Sequence, residues 1–169
     1  PREGLAGIEL QPGGRWLAAA GRSLHFFDTI EERWCPEREL ALRCSDLSWS
    51  AGGRYLGIAA DGVLVLDLAT GEIVGRYEES EFERIAMHPH RTIVAAVSRT
   101  QDLSLYDWQR RELLYRLPRA SLPMRRFAFS PSGEELAFTS AAGDVGVLRL
   151  EDGSVRHWAC PGISSNLPV

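Results

Sequence analysis

Four copies of one strand–turn–strand–turn–strand–turn–strand layout, recurring about every forty residues, predict an all-β chain built of β-propeller blades, each of four antiparallel strands. Two independent anchors carry the repeat. The first turn of each copy aligns Pro12, Ala51, Pro89 and Pro131, which lie 39, 38 and 42 residues apart. The end of each third strand aligns Asp28, Asp67, Asp107 and Arg149, at spacings of 39, 40 and 42. The units read as residues 7–37, 46–78, 84–118 and 126–160 of one domain spanning 1–169, either a whole propeller or half of one.

The last copy is the most complete, reading FAFSPSGEELAFTSAAGDVGVLRLEDGSVRHW from Phe127 to Trp158. Its alternating runs are separated by Pro131-Ser132-Gly133, Ala142-Gly143-Asp144 and Glu151-Asp152-Gly153, clusters that favour turns because they supply fixed or positive φ and local side-chain acceptors. The first strands, around Ile8–Leu10, Leu47–Trp49, Ile85–Met87 and Phe127–Phe129, place large apolar residues two apart, the period of a strand. Second strands carry Leu17, Leu56, Val94 and Leu136, followed by small residues such as Ala18–Ala20 and Ala95–Ala96 that let neighbouring sheets approach. Third strands are apolar or alternating. The fourth, around Arg33–Cys35, Ile73–Tyr77, Leu113–Leu117 and Val155–Trp158, are the most polar, as outer edges should be. The stretch RRELLYRL at 110–117 is rich in good helix formers. Its aligned counterparts at 71–77 and 153–158 are strand-like after a turn, so the repeat predicts a strand there. Residues 38–45 and 118–124 are inter-blade connections.

Phe129-Ser-Pro-Ser-Gly-Glu-Glu-Leu-Ala-Phe138 resembles the FSPDGxxLA turn of WD40 and WD40-like propellers, and Leu66-Asp67-Leu68-Ala69-Thr70-Gly71-Glu72 resembles their WDxxTGE ending. Phe27-Asp28 and Tyr106-Asp107 stand where that family has Trp-Asp. The resemblance covers about Gly7 to Trp158, and it extends to TolB-like and other bacterial propellers, which use SPxGxxLAF turns. No Gly-His pair precedes a blade and the last copy has Leu148-Arg149, so the family's buried His, Asp and Ser/Thr network is not reproduced. The resemblance implies a rigid platform that binds other proteins.

Composition narrows function. A net charge of -4 and a pI near 5.6 argue against an electrostatic grip on nucleic acid. No run approaches about eighteen uninterrupted apolar residues, so no membrane helix is expected. Cys35, Cys44 and Cys160 form no CxxC pair, and an odd number suits a reducing, cytoplasmic setting. All 19 basic residues are arginine, which rules out phosphate-loop and Schiff-base lysines. GxSxG and HExxH are absent.

His88-Pro89-His90 occupies an ordinary turn slot and makes a poor zinc site; no metal or cofactor is expected. Asp61, Asp102 and Asp144 precede third strands, where side-chain bonds to the backbone would stabilise tight turns. Inter-blade connections and second-to-third-strand turns emerge on one face of a propeller. That face would gather Arg38, Arg43, Asp61, Glu79, Glu81, Arg99, Arg119, Arg125 and Arg126, an arginine-rich surface suited to an acidic segment of a protein partner. The expected function is a non-catalytic interaction scaffold; the alternative is a small-ligand or enzymatic propeller whose acidic turn residues line a channel. Four blades hold no spare strand to fasten their ends, so closure is expected from a second chain or from further blades.

Overall fold

The structure, a computed structural model, describes residues 5–79, 81–100, 102–117, 124–140 and 143–159, with the backbone alone at 124 and 125. Among the described residues sixteen strands form four separate sheets. The first holds β1 to β4 (Gly7–Leu10, Trp16–Ala20, His25–Asp28, Arg33–Trp34), the second β5 to β8 (Asp46–Trp49, Tyr55–Ala60, Gly62–Asp67, Glu72–Tyr77). The third holds β9 to β12 (Phe82–Met87, Ile93–Ser98, Leu103–Asp107, Glu112–Leu117), the fourth β13 to β16 (Met124–Phe129, Glu135–Ser140, Val145–Arg149, Val155–Trp158). Within each sheet the strands lie in chain order and every pairing is antiparallel. RRELLYRL is indeed a strand from Glu112: its cross-strand partners on β11 outweigh the helix preference of its residues.

First strands β1, β5, β9 and β13 lie innermost, in contact in that order, and fourth strands lie at the periphery. Three buried clusters hold the stack. One joins the first two sheets through Ala18, Phe26, Leu47, Trp49, Leu56 and Ile58. The next joins the second and third through Val65, Tyr77, Ile85, Met87, Val94 and Tyr106. The last joins the third and fourth through Ala95, Leu103, Leu136, Phe138 and Leu148. Among the described residues no buried cluster joins the fourth sheet back to the first.

The two faces of the second sheet differ in size. Cross-strand partners share a face of a sheet, so Leu47, Ile58 and Leu64, with Trp49, Leu56 and Leu66, form one bulky face of the second sheet, and Ser48, Gly57, Val65 and Gly75 its opposite, small face. The bulky face meets the preceding sheet and the small face the following one. Close approach demands that smallness. A Cβ on Gly57 would lie 2.8 Å from Met87 Sδ, and one on Gly75 2.8 Å from Trp108 Cβ.

The repeated aspartates at the third-strand ends are buried and tie two turns together. Asp67 accepts from Arg54 Nη2 at 2.7 Å and from the Ala69 amide at 3.0 Å. Asp28 does the same with Arg15 and the Ile30 and Glu31 amides, Asp107 with the Thr92 hydroxyl and the Gln109 and Arg110 amides. The Arg54 guanidinium, with these amides and against burial, holds the Asp67 carboxyl below the usual carboxylate range. In the turns before two of the third strands Ser98 Oγ accepts from the Asp102 amide and Ser140 Oγ from the Asp144 amide, and the Thr100 hydroxyl donates to Asp102 Oδ2.

His88 and His90 staple the third sheet to the fourth. His88 Nδ1 accepts from the amides of His90 and Arg91 at 3.0 Å each, so its proton sits on Nε2, which donates to Gly133 O at 3.0 Å. His90 Nε2 meets Pro131 O at 2.8 Å. Burial, against the Gly133 carbonyl and reinforced by the nearby Arg91 and His90, lowers the His88 pKa. A histidine with a lowered folded pKa contributes stability that is complete above its ordinary value, about 6.5, and is lost as pH falls below it. The Asp67 type of carboxylate does likewise below about pH 4. The melting temperature is therefore expected to decline as pH drops below about 6.5 and again below about 4, and His88→Gln should remove the upper step. Glu9 and Asp46, whose carboxyls are raised by burial, act in the opposite sense in both proteins, so the difference between the two melting profiles isolates the histidine.

Candidate protein interface at the axial groove

The inner strands carry two rows of equivalent positions along the axis. Gly7, Asp46, Arg84 and Arg126 form one row; Glu9, Ser48, Ala86 and Ala128 form the other. Except Gly7, these residues line a groove of about 430 Å³. Two polar side chains there bind strand to strand: Asp46 Oδ2 accepts from the Ile85 amide at 3.2 Å, and Ser48 Oγ from the Met87 amide at 2.9 Å. Burial holds the Asp46 carboxyl above the usual range, against the Ile85 amide and the Arg84 and Arg126 charges; burial, then Asp46 itself, does the same to Glu9. Arg84 gives Nη1 to the Glu83 carbonyl at 2.8 Å, while its buried Nε has no hydrogen-bond partner among the described residues. Arg126 is exposed.

Above the groove, toward the inter-blade connections, lies a wider hollow of about 780 Å³ lined by Gly21, Arg22, Arg43, Ser45, Glu83 and Arg84. Arg84 lines both spaces. Beside them Arg43, Asp61, Glu81 and Arg99 border a small pocket over Phe82. The structure thus brings four of the expected upper-face residues together, and Arg99 is already paired with Glu81. Glu79 is bound to Arg116, whose Nη2 also donates to the Tyr77 hydroxyl at 2.8 Å. Arg126 lies on the groove wall, within β13, instead of in a loop. Arg38 does not join this face: the 3-10 turn Pro36–Arg38 carries its guanidinium over the Trp16 ring, 4.7 Å from the centroid, and toward the Leu68 carbonyl on the outer flank between the first two sheets. Arg119 and the Arg125 side chain lie outside the described residues.

Arg84 is the residue that sequence reasoning missed. Its signal was available in the repeat, since it occupies the register of Asp46 and Arg126, but a polar residue in an alternating strand reads as ordinary solvent face. Cys35 and Cys44 are buried free thiols; Cys160 lies outside the described residues. Among the described residues no group of three or more His, Cys, Asp or Glu could hold a metal ion, and no helix is long and apolar enough to cross a membrane.

No protein-family model matches the sequence, and no curated protein matches it. Solved structures do match the fold. The β-propeller domain of Cps50 (Swd1) from Myceliophteria thermophila superposes with a TM-score of 0.81 at 19% identity, over 94% of this chain and 55% of that one. The WD40 repeats of RRP9 and the structure of U3-55K each superpose with a TM-score of 0.79 at 10% identity, over 94% of this chain and 52% of theirs. The chain spans about half the length of these structures. Four sequential four-stranded antiparallel sheets, stacked about their first strands and superposable on these propellers, give this chain the fold of the WD40-repeat β-propellers.

Proposed function

We propose that the chain is a non-catalytic protein-interaction scaffold whose upper axial groove receives an acidic segment of a protein partner. The observation that carries this reading is Arg84, which lines the axial groove with Arg126 and the upper hollow with Arg43, and whose buried Nε has no acceptor among the described residues. An unsatisfied buried donor costs about 1–3 kcal/mol, which an incoming carboxylate would recover through charge-assisted, bidentate bonds. Asp46 and Glu9 line the same groove, and burial raises the pKa of both carboxyls. The buried thiols fit a reducing, cytoplasmic setting.

Fluorescence anisotropy with a labelled oligoglutamate peptide tests the reading. Binding should weaken with salt, and Arg43→Glu with Arg126→Glu should reduce it by about tenfold or more. Arg110→Glu, beside Asp107 and away from the groove, should leave it unchanged. Equal loss from Arg110→Glu, or no loss from the groove variants, would contradict the assignment. Displacement of the peptide by citrate alone at matched charge would instead favour a small-anion site.

A further inference from the structure

We propose that the outer crevice between the first and second sheets is a second docking site, which takes an aromatic side chain from a protein segment that carries a basic residue beside it. Both walls of this crevice belong to the chain, and its two counterparts along the stack show what it lacks. Between the second and third sheets the rim is closed by Trp108, which follows Asp107 at the end of β11. It is 4% exposed, its ring lies 4.7 Å from that of Tyr55, and its Cβ stands 2.8 Å from where a Cβ on Gly75 would sit. Between the third and fourth sheets Tyr115 of β12 reaches the turn after β15, its hydroxyl 3.8 Å from where a Cβ on Gly153 would sit. The same positions at the first crevice hold smaller residues. Leu68 follows Asp67 as Trp108 follows Asp107, and Cys35 partners Phe26 as Gly75 partners Val65 and Tyr115 partners Leu105.

A hollow of about 340 Å³ stands there, with an apolar floor of Phe26, Leu40, Leu66 and Leu68. Local chain geometry opens it. Strand β4 stops after two residues where β8 and β12 run for six, the 3-10 turn Pro36–Arg38 intervenes, and the chain comes back at Leu40, bridged to Leu24. That volume lies at the small end of the roughly 300–1,000 Å³ of ligand clefts, a size for one anchoring side chain, and aromatic anchors seated in recesses carry much of the energy of interfaces. Arg38 lines the hollow with its guanidinium 4.7 Å from the centroid of Trp16, which holds the register of Tyr55. The guanidinium thus covers Trp16 as the Trp108 ring covers Tyr55, and an incoming ring would stack against it through a cation–π contact. Glu37 and Glu39 stand exposed on the rim and set the charge of the neighbouring residue as basic. Glu37 is 3.2 Å from Arg33 Nη1 and Glu39 is 3.6 Å from His25 Nδ1, exposed pairs that a new partner displaces at little cost.

Fluorescence anisotropy with a labelled Gly-Arg-Trp-Arg-Gly peptide tests this. Saturable binding is expected, and alanine in place of the peptide's tryptophan should weaken it by about tenfold or more. Leu68→Trp puts into the hollow the side chain that Trp108 supplies at the next crevice, and it should weaken binding by a similar factor. Glu37→Arg with Glu39→Arg should weaken it by about threefold or more, with the loss shrinking as salt is added. Both glutamates are exposed, so the strand signal in circular dichroism should survive, and this variant decides the matter if Leu68→Trp disturbs folding. Oligoglutamate binding at the axial groove should be unchanged in either variant, which separates the two sites. The proposal is overturned by the lack of saturable binding, by equal binding of the alanine peptide, or by unchanged binding to both variants. Displacement of the peptide by an equal concentration of N-acetyltryptophanamide would also overturn it, because a free aromatic molecule would then suffice without any flanking segment.

Discussion

Trp49→Ala should lower the unfolding free energy by about 3–5 kcal/mol, the cost of deleting a large buried aromatic and leaving part of its cavity. Trp49 is 7% exposed and fills the bulky face of the second sheet beside Leu56 and Leu66, against Ala18, Ala20 and Phe26 of the first. Its indole Nε1 also donates to Glu9 O at 3.2 Å, so truncation removes a tie between neighbouring inner strands as well as the packing. Because each sheet is stabilised chiefly by its neighbours, loss at one interface weakens the coupling along the stack. Urea denaturation of the variant should show a lower midpoint, while Leu114→Ala on an outer strand, where the side chain is 42% exposed, should stay within about 0.5 kcal/mol of the parent. Equal effects from the two would mean that the inter-sheet clusters are not what holds the stack.

Gly133→Ala should cost about 2–5 kcal/mol from two sources that act together. Gly133 has φ of 76°, a left-handed conformation in which a side chain costs about 1–2 kcal/mol. A Cβ there would also stand 2.2 Å from His88 Cε1 and 2.4 Å from Nε2, inside the ring that staples the third sheet to the fourth. Overpacking of that kind costs about 1–3 kcal/mol. The ring cannot retreat freely, since its Nδ1 is held by two amides and it packs 5.0 Å from the Phe129 ring. In a double-mutant cycle, His88→Ala should make Gly133→Ala less costly, leaving mainly the backbone term. Additive effects would mean that the steric contact does not matter.

The blades were legible because their signals are local: alternation at period two, Gly and Pro at fixed offsets, and a repeat that let the strand at 112–117 prevail over its helix-forming residues. The upper face was legible in part. Arg43, Asp61, Glu81 and Arg99 converge because connections and second-to-third-strand turns must emerge on the same side. Arg38 left that face because the chain after Cys35 folds into a 3-10 turn and its guanidinium finds the Trp16 ring, a contact between segments that no local pattern announces. The axial row was illegible for another reason: in an inner strand the residues between the bulky ones face the axis and not solvent, so Arg84 and Asp46 carry meaning that their alternation alone conceals. The aspartates at 28, 67 and 107 served as repeat anchors, but their bonds to Arg15, Arg54 and Thr92 depend on which turns lie side by side at the lower end of each sheet.

Hydrogen–deuterium exchange of the chain with and without oligoglutamate tests the interaction reading most directly. Added peptide should slow exchange in the segments that carry Arg43, Arg84 and Arg126, namely the connection before β5, the start of β9 and β13, and leave the lower turns at 29–32, 69–71 and 109–111 unchanged. Slowed exchange confined to those lower turns, or none at any peptide concentration, would contradict an acidic-segment site at the upper axial groove.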